Sequence, residues 1–488
     1  MSDKNLKEVD STETKLDPRI KPPINFAATI KVPVEEIKMI TSSLQKEKED
    51  EYERDYNNKV FNLRLTRFFL LSTFAFFALF FIGVNSSFLI KKIIMFASLG
   101  GCVISFILFM IFLIKYFSKK TIKLPGKVWF FNSISGLLCV CCVAGLTLLY
   151  GPFSGFRDWL ITTAMGTMTH QYLCKIFYSD KTIASVLDDN FIEDTEEEPD
   201  TSLVIVPEEV MDDDPNWTEY ERAMFEGHTK SEIYRMIKFT VRGQRAFLAV
   251  IYDPANLRVE CAEKVMHKGE YVTSMAQRTN ALVAINGGRF YDPGHQSNGG
   301  IPSGVTISNG KIISNRSYSS PMGVIAITND NKLALYKNKS AKQLVKLGVR
   351  DAVTSKPFLI INGKALYTKG NGGYGYDART AIGQRADGVM LLLVVEANDS
   401  RTNGASMKEL TKVFQDYGAI NAAALDGGTS SVMVEKGLLI SDPINTPFVH
   451  QTRKIATSFI VTEPSFNALT GIDGEETFEE ENIDGLDE

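Results

Sequence analysis

Metal-ligand chemistry is scarce in this chain, which has five histidines and six cysteines in 488 residues. Cys102, Cys139, Cys141, Cys142 and Cys174 fall in or beside apolar N-terminal runs, leaving Cys261 alone in the polar remainder. Neither a disulfide framework nor a zinc-ligand spacing follows from that distribution, and cysteines inside an apolar run read as small packing residues. An exported domain without disulfides suits an envelope of Gram-positive type. His228 and His267 have no partner spacing either, and His295 in the loop 292–300 reads as a solvated loop residue. No metal and no cofactor is expected. A basic surplus is also lacking. The net charge is -5 and the acidic residues cluster, so no continuous cationic face is available to nucleic acid. A removable signal peptide is not expected, because the first long apolar run starts far from Met1 and two more follow it.

What the chain does have is length and apolar runs. A chain this long exceeds one hydrophobic core. Residues 66–90, 93–114 and 128–150 are nearly uncharged, and each supplies the roughly 20 helical residues that a bilayer core requires. Arg54, Lys59, Arg64 and Arg67 precede the first run, and Lys115, Lys119, Lys120, Lys123 and Lys127 lie between the second and third. Only Lys91 and Lys92 separate the first two, and Arg157 follows the third. The positive-inside bias therefore predicts a cytoplasmic tail over 1–60 and places everything after Tyr150 outside the cytoplasm. The segment 159–177 contains His170, Gln171, Lys175 and several threonines, so spanning would bury polar groups at considerable cost. It is expected to be an interfacial or domain-packed helix closing a membrane region over 61–180.

From 181 to 232 the composition turns acidic and proline-bearing, including Glu196, Glu197, Glu198, Pro199 and Asp212 to Asp214. Such a stretch buries too little apolar surface to fold by itself and is expected to be a stalk. Residues 466–488 read as a disordered acidic tail for the same reason.

Between 233 and 465, short apolar runs alternate with glycine-rich turns, which predicts one α+β domain: a mixed sheet with packed helices. Residues 246–252 and 333–336 read as strands, and 310–314 as a turn entering one. The clearest unit runs from Val389 to Ser431. The apolar run 389–395 suits a strand buried on both faces. Ser406 and Glu409 form a capping-box pair, Met407, Leu410, Phe414 and Tyr417 follow helical spacing, and Gly418 suits the stop. A second apolar run over 420–425 follows. Strand, helix, strand at this length implies a crossover and parallel strands, which would bring Glu396 and Asp426 to one sheet edge. Asn286 ends a further apolar run, again before two glycines. Asn and Asp often do no more than start glycine turns. Three strand ends that each finish in a carboxylate or amide nevertheless make a plausible site, since ligands of open sheets bind beyond the strands' carboxyl ends.

Four words occur in order within this domain: Asn286-Gly287-Gly288-Arg289-Phe290, Gly300-Ile301-Pro302-Ser303-Gly304, Arg379-Thr380-Ala381-Ile382-Gly383 and Leu425-Asp426-Gly427-Gly428-Thr429-Ser430-Ser431. Together they resemble the phosphodiester glycosidase family, over roughly 239–461. The sequence departs from the family pattern at Arg289, which breaks an aromatic pair, at Thr429 in place of a third glycine, and in the word Glu396-Ala397-Asn398-Asp399-Ser400-Arg401. Substrate identity is what these departures affect.

The resemblance implies hydrolysis of a sugar-1-phosphodiester. Because a phosphate monoester is a good leaving group, one well-placed carboxylate to attack the anomeric carbon or activate water suffices for much of the chemistry. Asp426 is the candidate, with Glu396 as the second carboxylate for acid/base work. A planar guanidinium suits the diester's charge. Arg379 is the first choice, because it follows the loop 370–375, which is able to fold over a substrate. Asn286 would bond sugar or phosphate oxygens, Gly287, Gly288, Gly427, Gly428 and Ser430 would line the site, and Arg289 and Arg453 are secondary candidates. The expected partners are a phosphorylated glycan or polysaccharide and the lipid bilayer. The alternative is a non-catalytic envelope protein that binds polysaccharide or serves exopolysaccharide assembly. Oligomeric state is not readable.

Overall fold

The computed structural model describes residues 34–86, 91–118, 126–166, 171–205, 214–292, 297–316, 323–397, 404–446, 449–450 and 452–464. His170, His295, the segment 398–401 and the acidic tail from 466 lie outside the described residues. Three long helices come first: α1 (Val34–Asn85), α2 (Lys91–Phe117) and α3 (Gly126–Tyr150). All three are long and apolar enough to cross a membrane. Helix α1 starts well before the apolar run, so the part of the expected tail from Val34 onward is helical.

The chain divides into two compact units. Within the first, formed by residues 1–71 and 104–135, Phe69 stacks on Phe112 with ring centroids 5.6 Å apart. The second holds residues 72–103 and everything from 136 onward. There the Cys102 and Cys142 thiols point at the α1 carbonyls of Thr73 and Phe74, each at 3.7 Å. These cysteines pack helix against helix, as their apolar setting predicts.

After α3 the chain forms α4 (Ser154–Met165), α5 (Gln171–Phe177) and α6 (Asp180–Asp188). Of the segment 159–177, the residues up to Met165 belong to α4, of 12 residues, and those from Gln171 to α5, of 7 residues. Ile161, Ala164, Cys174, Tyr178, Ile183 and Val186 form their core, with Leu149 and Tyr150 of α3 packed against it. Two hydroxyls fix the junction: Tyr150 donates to the Phe177 carbonyl and Tyr178 to the Leu149 carbonyl, both at 3.1 Å.

The acidic stretch is no free stalk. Phe191–Ile192 pairs antiparallel with Thr368–Lys369, and the Ile205 amide donates to Ala386 O at 2.8 Å. Its carboxylates face lysines of the domain: Asp189 with Lys369, Asp194 with Lys337, Glu197 with Lys364 and Glu198 with Lys339. Composition registers the charge of the segment but not the partner waiting for it. Most of these pairs are exposed and are worth at most about 1 kcal/mol each, so the backbone bonds carry the docking. Further on, Thr218 and Glu221 form a capping box for the helix Glu219–Phe225, which buries Met224 and Phe225.

Among the described residues the domain's three larger sheets, of five, seven and five strands, pair only antiparallel, where the sequence predicts a mixed sheet. The strands that position the site are β1 (Gln244–Ile251), β2 (Val283–Asn286), β3 (Val349–Ser355), β4 (Arg379–Arg385), β5 (Met390–Val395), β6 (Ala419–Ala424) and β7 (Thr457–Val461). The largest sheet has seven strands and runs Lys364–Ala365, Phe358–Ile361, β6, β4, β5, β1, Tyr234–Val241. Strands β5 and β6 do run in the same direction, but both pair antiparallel with β4, which lies between them. The crossover helix, α7 (Met407–Asp416), starts at the Ser406–Glu409 capping box and stops before Gly418 at φ +74°.

This sheet is buried on both faces, which explains the unbroken apolar runs. Leu392 and Val394 face a core shared with Ile285, Val353 and Phe459 of the other two sheets. Leu391, Leu393 and Val395 face Leu410 and Phe414 of α7. Each such side chain contributes about 2 kcal/mol through burial. The Phe414 ring lies where a Cβ on Gly383 would stand, at 2.6 Å, so the glycine of the Arg379-to-Gly383 word is there for packing.

Candidate active site

At the carboxyl end of β2 the chain turns through Gly287 and Gly288. A Cβ on Gly287 would meet Thr457 Oγ1 at 2.5 Å, and one on Gly288 would meet Thr354 O at 2.7 Å. Only glycine fits between β3 and β7 at these two positions. Their amides bond Thr457, to O at 2.8 Å and to Oγ1 at 3.1 Å. Arg289 follows, its amide donating to Thr354 O and its carbonyl accepting from Ser303 N, both at 2.9 Å. The first two sequence words thus fold against each other and hold Arg289 between them.

Asn286 is fully buried and occupied with structure. Its Nδ2 donates to the Asp426 carbonyl at 2.7 Å, while its Oδ1 accepts from Thr380 Oγ1 at 2.7 Å and from Val432 N at 3.2 Å. One amide side chain therefore ties β2, β4 and the loop after β6 together. Asp426, the first residue after Leu425 beyond β6, also donates its amide to Gly287 O at 3.3 Å.

Burial pushes the Asp426 carboxyl above the usual carboxylate range, and Arg289, the Ser430 hydroxyl and Arg453 pull it back. A second carboxylate stands beside it. Asp377 just precedes β4, and its Oδ2 is 3.1 Å from where a Cβ on Gly428 would lie. Burial raises its carboxyl as well; Arg379 and the Ala378 amide oppose the shift, and the charge of Asp426 adds to it. Asp377 is not among the residues that the sequence motifs single out. It sits outside any glycine tetrad, and only the register of β4 against β6 brings it to Asp426.

Arg379 is 7 % exposed and gripped from three sides. Nε donates to Ala405 O at 3.0 Å, and Nη2 donates to Tyr374 O at 2.7 Å and Gly375 O at 3.1 Å. Nη1 is left facing Gly427, 3.4 Å from the position of a Cβ there. A side chain larger than hydrogen at Gly427 would cover that nitrogen. Arg289 lies close enough to act electrostatically on Asp426, Arg379 and Tyr374, and its Nε is buried with no hydrogen-bond partner among the described residues. A guanidinium N–H left in this state marks where an acceptor belongs.

Arg453 pairs with Asp292 and lies over the Phe290 ring at 4.6 Å, so it borders the site without entering the carboxylate pair. Glu396 is at the same sheet edge as Asp426, two strands away, roughly 10 Å at ordinary strand spacing. Its oxygens are taken by Arg245, at 2.7 and 3.0 Å, and by the Asp442 amide at 2.7 Å. His228 is likewise engaged elsewhere, bonded to Glu232 at 3.1 Å and stacked on Tyr252. Burial pushes the Cys261 thiol up to about 12, which leaves it inert. Tyr374 and Lys356 help line a cavity of about 300 Å³ that Glu193 and Asp194 of the docked acidic stretch also line.

Residues 279–462 match the family described as phosphodiester glycosidase, and this part of the chain is a domain of that family. The chain is 30% identical over 180 residues to the SPbeta prophage-derived uncharacterized protein YomE of Bacillus subtilis strain 168. That match covers 36% of this chain and 27% of the relative, so the chain spans about a quarter of the length of the curated protein it matches. Among solved structures, the zebrafish N-acetylglucosamine-1-phosphodiester alpha-N-acetylglucosaminidase catalytic domain, auto-inhibited by its pro-peptide, is 23% identical, with 48% of this chain and 85% of that chain covered at a TM-score of 0.41. A hypothetical protein from Synechocystis is 16% identical, covering 47% and 61% at a TM-score of 0.34.

Proposed function

We propose that this chain is a membrane-anchored hydrolase that cleaves the sugar C1–O bond of a sugar-1-phosphodiester in an envelope glycan or polysaccharide, with the catalytic domain outside the cytoplasm. The observation that carries the reading is the pairing of two half-buried carboxylates, Asp377 and Asp426, with two guanidinium groups, Arg289 and Arg379.

In this mechanism Arg379 Nη1 and Arg289 Nε bind the non-bridging phosphate oxygens and neutralise the diester. Asp426, which Arg289 and Arg453 draw toward its ionised form, attacks the anomeric carbon or takes a proton from the water that does. Asp377, whose neutral form burial favours first and the charge of Asp426 second, against Arg379 and the Ala378 amide, is the acid that delivers a proton to the departing oxygen. Water adds OH to the sugar and H to the leaving phosphate monoester, so the atoms balance. Glu396 holds Arg245 and the 442 amide in place, and Asn286 fixes the Asp426 loop.

The reaction is tested on the purified full chain with a panel of sugar-1-phosphodiesters. Equimolar free sugar and phosphate monoester is the expected outcome, and no turnover of any member would sink the reading. Orientation is tested by a topology reporter fused after Glu463. Activity outside the cytoplasm is expected from the lysine and arginine distribution, and cytoplasmic activity would reverse it.

A further inference from the structure

Two of the three carbonyls that hold Arg379 belong to the loop 370–375. Gly370, Gly372, Gly373 and Gly375 in this loop all have positive φ, between 60° and 82°. A segment so rich in glycine loses much entropy on ordering and has little of its own to fix its shape. The constraint comes from the juxtamembrane helices. Asn371 Nδ2 donates to Thr162 Oγ1 of α4 at 2.8 Å, and the Asn371 amide donates to Asn190 Oδ1 just after α6 at 3.1 Å. Gly375 approaches α4 so closely that a Cβ would meet Thr163 Oγ1 at 2.3 Å. Thr162 is fully buried and Asn371 nearly so, and the Thr162 hydroxyl donates in turn to Asp158 O at 2.6 Å. Helix α4 packs in the core that also takes up Leu149 and Tyr150 at the end of α3. A continuous set of contacts thus leads from a membrane-spanning candidate to the Arg379 guanidinium.

We propose that Thr162 and Asn371 are positioning residues for Arg379, so that the juxtamembrane helix α4 sets the geometry of the active site. The glycine content of the loop suggests a segment that folds over a substrate; in this proposal the loop is a fixed wall, and what fixes it lies outside the domain that matches the family. The inference rests on Arg379 as the ligand of the diester phosphate. A guanidinium released from the Tyr374 and Gly375 carbonyls binds the phosphate less well, so its loss is read in KM before kcat.

The test uses the full chain in detergent micelles, with Thr162→Val, Asn371→Ala and Arg379→Lys alone and the first two each combined with the third. Thr162→Val and Asn371→Ala should each raise KM for a sugar-1-phosphodiester about tenfold, with kcat changed less than about threefold. Combined with Arg379→Lys, either should add little, because both act through one guanidinium. A merely structural role would lower Tm and the active fraction, hence kcat, leaving KM unchanged and the effects additive, and that result overturns the proposal. Asn371→Ala acts from the loop side should Thr162→Val not fold. If the wild type hydrolyses no diester, the proposed function fails separately, and inorganic phosphate becomes the probe. Phosphate should then raise the wild-type Tm and not that of Thr162→Val or Arg379→Lys. Equal stabilisation of all three, or none of the wild type, overturns the positioning role.

Discussion

Asp426→Asn should lower turnover by roughly a hundredfold or more while the domain stays folded. The fold is expected to survive because the contacts that place residue 426 use its backbone: Asn286 Nδ2 bonds its carbonyl and Gly287 O accepts from its amide. Asn keeps the size and the turn tolerance and removes only the charge. Stability has a definite sign. A carboxyl whose folded-state pKa is raised contributes stability below its unfolded pKa, roughly 4, and that contribution is lost as pH rises through the folded value. At neutral pH the Asp426 carboxylate therefore costs the fold something, and Asn should leave Tm equal or slightly higher. Full activity in a stable Asp426→Asn variant would remove Asp426 from the mechanism.

Asp377→Asn carries the second largest effect. Two adjacent carboxylates titrate as a pair, and their environments separate the steps. The acid limb of kcat/KM reports ionisation of the carboxylate nearer Arg289 and Arg453, and the alkaline limb reports loss of the proton retained at Asp377. Both shifts are upward, so both limbs should lie above the ordinary carboxylate range of about 4. Asp377→Asn should abolish the alkaline limb and cut kcat about tenfold. That is less than the 10²–10⁴ usual for a general acid, because the phosphate monoester leaves readily. A pH–rate profile from about pH 4 to 9 decides it. An alkaline limb that persists in the variant would place the proton elsewhere, with Glu396 the next carboxylate to examine.

The crossover unit from Met390 to Gly428 was legible because every signal in it is local: an apolar run, a capping box, helical spacing and a glycine stop. The three long apolar helices were legible for the same reason. The second carboxylate was not. Glu396 stands out in sequence because it ends a strand, yet Arg245, 151 positions earlier, takes its oxygens. Asp377 draws no notice in the sequence and reaches Asp426 only through strand pairing. Asn286 looked like a ligand and is a brace, a distinction that depends on partners 94 to 146 residues away. Acidity misled in a similar way. The stretch 189–198 reads as solvated until the lysines facing it are placed.

Hydrolysis of a sugar-1-phosphodiester in ¹⁸O-enriched water shows whether the bond breaks at the sugar carbon. Attack at the anomeric carbon by Asp426 or by its activated water predicts one labelled oxygen at C1 of the released sugar and none in the phosphate monoester. Label in the phosphate, with an unlabelled sugar, would mean that the P–O bond breaks and that Asp426 does not act at the anomeric carbon.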